Sequence, residues 1–344
     1  MTPSPLTTRP TPLVDGFGRV VKDLRLSITD RCNFRCTYCM PEEGLKWLPR
    51  DEVLTFEELT RVAHVCVERW GFDAIRITGG EPLVRAGVER LVAMLAPLGV
   101  DLALTTNGLK LAGAAQALAD AGLTRVNVSL DSLCAHTFAE LTRRDELAGV
   151  LEGIDAALAA GLTPVKVNTV VMRGVNDDEI VDLAAFGRDR GVEVRFIEFM
   201  PLDAQGEWNI DRVVPAREII ERIDAVFPLE PVDGRSASDH QEPAARWRYR
   251  DGAGFVGAIP SVTEPFCDRC DRVRVTADGR FRSCLFSLDE HDLRTILRSA
   301  APPAHQDDEI AAAIEAAVGA KWAGHRIGKI DFIRPSRSMS QIGG

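Results

Sequence analysis

Thr29-Asp30-Arg31-Cys32-Asn33-Phe34-Arg35-Cys36-Thr37-Tyr38-Cys39-Met40-Pro41 places three cysteines within eight residues, in a C-x3-C-x2-C spacing with an aromatic just before the third. Three thiolates from one short loop can hold three irons of a 4Fe–4S cube, which ordinarily takes four cysteines. The fourth iron then has no protein ligand, and an open metal position is where chemistry takes place. The alternatives are a zinc knob or three unrelated buried thiols. Zinc takes a fourth ligand close by, in C-x2-C pairs with partners further on, and isolated core cysteines have no reason to share one polar loop.

Outward from this loop, between Asp23 and about Met200, short apolar strands alternate with amphipathic helices. The pattern predicts strands over 24–28, 74–78, 101–105, 125–130, 164–171 and 193–199, and helices over 55–70, 84–98, 111–121, 147–160 and 178–190. Thr55 and Glu58 have the spacing of a capping box. Leu59, Val62, Ala63, Cys66 and Trp70 then share one helical face, so Cys66 reads as core filler, and Cys134, with no cysteine nearby, is expected to be the same. Strand–helix alternation implies a parallel sheet. Six units are too few for a closed eightfold barrel, so an open, partial (β/α)6 barrel is expected. Polar motifs follow the strands, where barrels gather their reactive groups: the cysteine loop, Gly79-Gly80-Glu81-Pro82, Thr105-Thr106-Asn107-Gly108, Asn127 to Asp131, and Glu198 to Met200.

After Leu202 the pattern changes. A helix near 214–226 leads into the Pro-, Asp-, Ser- and Gly-rich stretch 228–243, read as a loop. Hairpin pieces follow around Asp251-Gly252 and Asp278-Gly279, then helices near 288–299 and 307–322, then an irregular end. The expected organisation is a flexible leader over 1–22, the barrel over 23–228, a smaller C-terminal domain over 229–330, and a tail over 331–344 ending in Gly-Gly.

Composition narrows the class. With 344 residues, 45% hydrophobic and 27% charged, the chain has the make-up of a globular protein. Apolar runs fall short of the ~20 residues of a membrane span, and the Pro/Thr-rich start has no apolar core of a signal peptide. A net charge of −10 disfavours a general nucleic-acid binder, but a few arginines in one cleft can still bind a small anion. Of eight cysteines, six fall in two tight groups, which suits metal binding in a reducing cytoplasm.

The second group, Cys267, Cys270 and Cys284, again offers three thiolates without a fourth. A second 4Fe–4S cluster with one open iron competes with a zinc ribbon completed by His291, although His291 sits in an acidic stretch expected to be helical. Arg272 and Arg274 alternate along a strand between these cysteines and so point the same way. Two guanidinium forks beside a three-cysteine site suit a triphosphate.

These pieces together resemble the molybdenum-cofactor biosynthesis protein A family, the GTP 3′,8-cyclases of the radical S-adenosylmethionine (SAM) superfamily. The resemblance runs from Leu24 to Gly344 and rests on the two cysteine groups, Asp23 to Ser27, Arg76 to Pro82, Thr105 to Gly108, Asn127 to Asp131, Lys166 to Asn168, Arg195 to Met200, and Gly343-Gly344. It implies that Cys32, Cys36 and Cys39 hold a SAM-cleaving cluster, with Tyr38, Gly80, Ser129 and Met200 contacting SAM. It implies a second cluster on Cys267, Cys270 and Cys284 facing the guanine of GTP, with Arg25, Arg76, Thr105, Lys166, Arg272 and Arg274 on the nucleotide and Arg195 near the reacting centre. The reaction so implied cleaves SAM by one electron, takes hydrogen from C3′ of GTP and joins that carbon to C8. Its product, 3′,8-cyclo-7,8-dihydroguanosine 5′-triphosphate, opens molybdenum cofactor synthesis.

In the family a double-glycine end reaches the active site, which makes Gly343 and Gly344 candidates there, beside a frayed tail or a conjugation-type tail. The implied partners are a low-potential flavodoxin or ferredoxin as electron donor and cyclic pyranopterin monophosphate synthase as recipient of the product, with a cytoplasmic location and a homodimer as one option. A peptide-maturing radical SAM enzyme and a non-catalytic iron–sulfur or zinc protein are the competing functions. The first usually carries more C-terminal cysteines; the second leaves the strand-end Arg and Gly groups unexplained.

Overall fold

The computed structural model describes residues 10–203, 206–232 and 243–343. In chain order the elements are β1 (Leu13–Val14), β2 (Val20–Val21), β3 (Asp23–Ser27), α1 (Phe56–Trp70), β4 (Ala74–Thr78), α2 (Val88–Leu95), β5 (Asp101–Thr106), α3 (Ala115–Asp120), β6 (Arg125–Ser129), α4 (Ala135–Thr142), α5 (Leu147–Ala159), β7 (Lys166–Val171), α6 (Ile180–Arg190), β8 (Glu193–Glu198) and α7 (Ala216–Asp224). The C-terminal part adds β9 (Leu229–Pro231), β10 (Ala245–Tyr249), β11 (Phe255–Ile259), β12 (Arg272–Val275), β13 (Arg280–Arg282), β14 (His291–Asp292), α8 (Leu293–Leu297), α9 (Pro303–Gly319) and α10 (Met339–Ile342).

One 12-stranded sheet has the order β14-β13-β12-β3-β4-β5-β6-β7-β8-β11-β10-β9. Strands β3 to β8 are parallel, as expected, and β12 and β11 pair parallel to β3 and β8 at either side. The C-terminal part thus supplies both edges of the barrel sheet, its remaining strands running antiparallel beyond them.

The two-residue period of the strands divides their faces. Leu24, Leu26, Ile75, Ile77, Leu102, Leu104, Val126, Val128, Val194, Phe196, Val273 and Val275 belong to the apolar core. Between them Arg25, Arg76, Thr105, Asn127, Arg195, Arg272 and Arg274 look into the barrel. Helix α1 carries the predicted capping box, Thr55 and Glu58 exchanging hydrogen bonds of 2.7 and 3.1 Å, and buries the predicted face including Cys66. Among the described residues no helix is long and apolar enough to cross a membrane.

Four expectations change. The leader expected over 1–22 is ordered structure where it is described: residues 1–9 lie outside the described residues, and β1 and β2 form a hairpin that buries Leu13 and Val21. Its turn holds a buried ion pair, Asp15–Arg19, at 2.5 Å. Two short apolar pairs are too brief to register as periodicity. Cys134 is not core; it is exposed at the N-cap of α4, a helix the sequence reading passed over. His291 lies in β14, opposite Phe281, rather than in a helix, because Asp292 caps α8 only after it. The tail over 331–344 is not wholly irregular, since Ser338 and Gln341 cap α10. The loop read over 228–243 falls largely outside the described residues.

Arg19 also bonds the carbonyls of Cys267 (2.6 Å), Trp322 (2.5 Å) and Ala323 (2.8 Å), joining the hairpin to the C-terminal part. Arg19→Met leaves Asp15 as an unpaired buried charge, with an expected cost of about 3–5 kcal/mol in urea unfolding. Adding Asp15→Ala should return part of that loss; equal destabilisation of both variants would refute the buried-pair account.

Candidate active site

The inward faces of the strands enclose a cavity of about 270 Å3. Tyr38, Ser129 and Met200 line it, as do Arg25, Arg76, Thr105, Arg195, Arg272, Arg274 and all three cysteines of the second group. Lys166, Gly80 and the first three cysteines, Cys32, Cys36 and Cys39, are not among its lining residues; Tyr38, within that cysteine loop, is. Lys166 is buried, in register with Asn127 and Glu193. Gly80 backs the cysteine loop instead.

That loop is held from several sides. The N–H groups of Arg35 and Thr37 donate to the carbonyls of Thr142 and Leu141 at 3.0 and 2.9 Å, tying it to the end of α4. Arg35 folds back on the Cys32 and Phe34 carbonyls. Gly80 N–H donates to the Thr29 carbonyl at 2.7 Å, and a Cβ on Gly80 would stand 2.5 and 2.6 Å from the Arg31 and Asp30 carbonyl oxygens. Only glycine permits this approach. Burial pushes the Cys32 thiol up to about 12 and Cys39 to about 11, and lifts Cys36 well above the usual thiol range. Such a set of buried sulfurs suits coordination to cations that supply the missing positive charge.

The cavity's basic wall is a register effect. Arg274, Arg25 and Arg76 are lateral neighbours across β12, β3 and β4, with Arg272 opposite Asp23 one step along. Burial, then mutual repulsion, holds the Arg25 and Arg76 guanidiniums down to about 9. Nε of Arg25, Arg76 and Arg272 is buried without a hydrogen-bond partner. Orphaned donors on crowded cations are the complement of a polyanion. Arg195 donates to Glu193 at 2.6 Å, and Glu193 also takes Arg246 at 2.8 Å.

At the second group, burial alone would raise Cys270, but Arg272 and Lys321 overcome it and bring the thiol down to about 7. Among the described residues no three of His, Cys, Asp and Glu converge as one metal ion requires. The histidine beside this group is His325, not His291. Its Nε2 faces the Ser261 carbonyl at 2.8 Å, and its Nδ1 accepts from the Ile327 N–H at 3.3 Å, which commits both ring nitrogens.

The tail reaches this cavity's wall. Arg274 donates to the Gly343 carbonyl at 2.9 Å, and a Cβ on Gly343 (φ +82°) would meet Ser27 and Thr78 at 2.9 and 3.0 Å. Gly344 lies outside the described residues.

Sequence reasoning missed several residues. Asp131 accepts from the Tyr38 hydroxyl at 2.6 Å and the Val170 N–H at 2.8 Å. Glu81 accepts from Thr106, Asn107 and Leu83, locking the second-strand motif to the third, and Asn107 Nδ2 stands 3.9 Å from Cys32 Sγ. Both acids sit inside quoted motifs, so position could have flagged them; Lys321 and Arg19 carry no such signal.

Fold and cavity define a radical SAM protein. Residues 26–187 match the Radical SAM superfamily, and residues 192–327 match Molybdenum Cofactor Synthesis C. The chain is 50% identical over 334 residues to the GTP 3′,8-cyclase of Streptomyces coelicolor, covering 96% of each protein. It is also 50% identical over 339 residues to GTP 3′,8-cyclase 2 of Mycobacterium bovis, covering 97% of this chain and 92% of that one. The fold is similar to Streptococcus suis SuiB bound to S-adenosylmethionine, with a TM-score of 0.55 at 13% identity over 86% of this chain and 68% of that one. The chain belongs to the GTP 3′,8-cyclase family of radical SAM enzymes. That membership brings a 4Fe–4S cluster and SAM, and the buried three-thiol loop fits such a cluster.

Two outcomes test this site. Gly80→Ala should displace the cysteine loop and lower iron retained by the first triplet roughly tenfold or more, the range seen when support of a metal ligand is lost; full iron content would refute the close-approach argument. Burial lifts Asp131 from 3.8 to about 6 despite the Tyr38 and Val170 hydrogen bonds. Because the folded form holds this proton more tightly, the contribution of Asp131 to stability is greatest at low pH and declines as pH rises from about 4 to about 6. Asp131→Asn should therefore gain on the parent across that window in urea midpoints, with a constant difference as the contrary result.

Proposed function

We propose that this cavity performs the 3′,8-cyclisation of GTP, the first step of molybdenum cofactor synthesis, with the residue roles that follow. The carrying observation is the row of arginines whose buried Nε donors are orphaned, on the same cavity as Tyr38, Ser129 and Met200.

Cys32, Cys36 and Cys39 would hold the first cluster, and Cys267, Cys270 and Cys284 a second. When bound, the first cluster and SAM supply one-electron cleavage and, from it, abstraction of hydrogen at C3′ of the ribose. Tyr38, fixed by Asp131, and Ser129 and Met200 orient SAM, while Gly80 keeps the loop in place. Arg25, Arg76, Arg272 and Arg274 bind the triphosphate with Thr105 and Lys166, and Arg195, oriented by Glu193, holds the sugar–base region where charge and radical character change. The chain's main contribution is alignment of C3′ with its hydrogen acceptor and with C8, in a chamber that excludes water. Gly343 leans on Arg274, which gives the tail a place against the bound nucleotide. A flavodoxin or ferredoxin is the electron donor in this reading, cyclic pyranopterin monophosphate synthase takes the product, and the two groups of reduced thiols suit the reducing cytoplasm.

Anaerobic reconstitution should give about eight irons per chain and GTP-dependent formation of 5′-deoxyadenosine. No 5′-deoxyadenosine with GTP would overturn the reading, and about four irons with one zinc would replace the second cluster by a zinc site. Arg25→Met or Arg76→Met should raise KM for GTP roughly tenfold or more while iron content stays constant, since a hydrogen bond to a charged group contributes about 1.5–3 kcal/mol.

A further inference from the structure

Lys321 follows α9 and is only 3% exposed. Its ammonium donates to the Cys270 carbonyl at 2.9 Å and the Arg272 carbonyl at 3.0 Å, and stands 4.0 Å from Cys270 Sγ. None of these partners is a carboxylate. A buried ammonium without an opposite charge is strongly disfavoured, and the group placed to balance it is the Cys270 thiolate. The neighbouring end of the same C-x2-C turn is gripped by Arg19 through the Cys267 carbonyl at 2.6 Å. Two cations remote in sequence thus clasp one turn, and of these Lys321 joins the neighbouring Arg272 against the Cys270 sulfur.

We propose that Lys321 is a positioning residue for the second cluster, pinning the backbone from Cys270 to Arg272 and setting one buried positive charge beside the Cys270 thiolate. The inference rests on the second-cluster reading above. Charge and N–H donors near the sulfurs favour the more negative, reduced state of a cluster. Lys321 therefore raises the reduction potential of this cluster and slows its loss of iron.

The test uses the full chain with Cys32, Cys36 and Cys39 all changed to Ala, reconstituted anaerobically so that only the second triplet contributes. Lys321→Met should move the midpoint of an EPR-monitored redox titration to more negative potential and speed iron loss to a chelator roughly tenfold or more. Lys321→Arg should restore both. Lys321→Gln, which keeps a donor for the two carbonyls without the charge, should keep the iron better than Met yet retain the lowered potential; it also serves where the Met variant does not fold. A Gln variant with the parent's potential overturns the role of Lys321 alone. A triple-alanine parent that takes up no iron overturns the second cluster, and this inference with it.

Discussion

Arg274, Arg25 and Arg76 stand side by side across three strands whose register is fixed by backbone pairing. At the ~4.8 Å spacing of neighbouring strands, like charges in a medium of intermediate dielectric repel by on the order of 3 kcal/mol per pair. Spreading of the long side chains relieves some of this, and Asp23, facing Arg272 in the next row, relieves more. The remainder asks for an anion with several charges close together. A triphosphate meets that demand; a monoanion would not. The alternate residues of the same strands, Leu24, Ile75 and Val273, turn the other way and pack into the surrounding core.

The row exists because the C-terminal part is built into the sheet. Had β12 belonged to a separate cap, Arg272 and Arg274 would sit on an element free to move against the barrel. Instead β12 continues the barrel at β3, and β11 continues it at β8, so the second cysteine group is anchored to the same rigid frame as the first strand's arginine. Glu198 strengthens the opposite side: its carboxylate accepts from Ala216, Val262 and Thr263, fixing the end of β8 to the loop that leads towards Cys267. Sites on rigid elements hold geometry better than sites on loops.

The barrel strands were legible because alternation and strand-end motifs are local properties of the chain. Cysteine spacing and the Arg272/Arg274 pair were legible for the same reason. Pairing across distance was not: nothing in residues 13–21 announces a hairpin whose arginine reaches Cys267, and nothing at Lys321 announces a thiol partner 51 residues earlier. Cys134 was misread because a lone cysteine between a strand and a helix has the same local pattern whether it caps or packs. Asp131 and Glu81 fall between these cases. Their motifs were visible, but burial, which decides what a carboxylate does, is a property of the assembled barrel.

The tail runs between the first cysteine loop and the basic wall of the cavity. Ser340 faces Cys39 and holds its thiol lower than burial alone would, while three residues further on the Gly343 carbonyl accepts from Arg274. Met339, in the same short helix, lines the cavity between them. One turn of helix therefore touches the first cysteine loop and the basic wall together. A helix so short has little stability of its own; it is held by those contacts, by its capping box and by the buried Ile342. The Arg274 contact and the buried Ile342 thus hold the same turn from two sides. Four residues of chain, Ser340 to Gly343, therefore span the distance between the first cysteine loop and the basic wall.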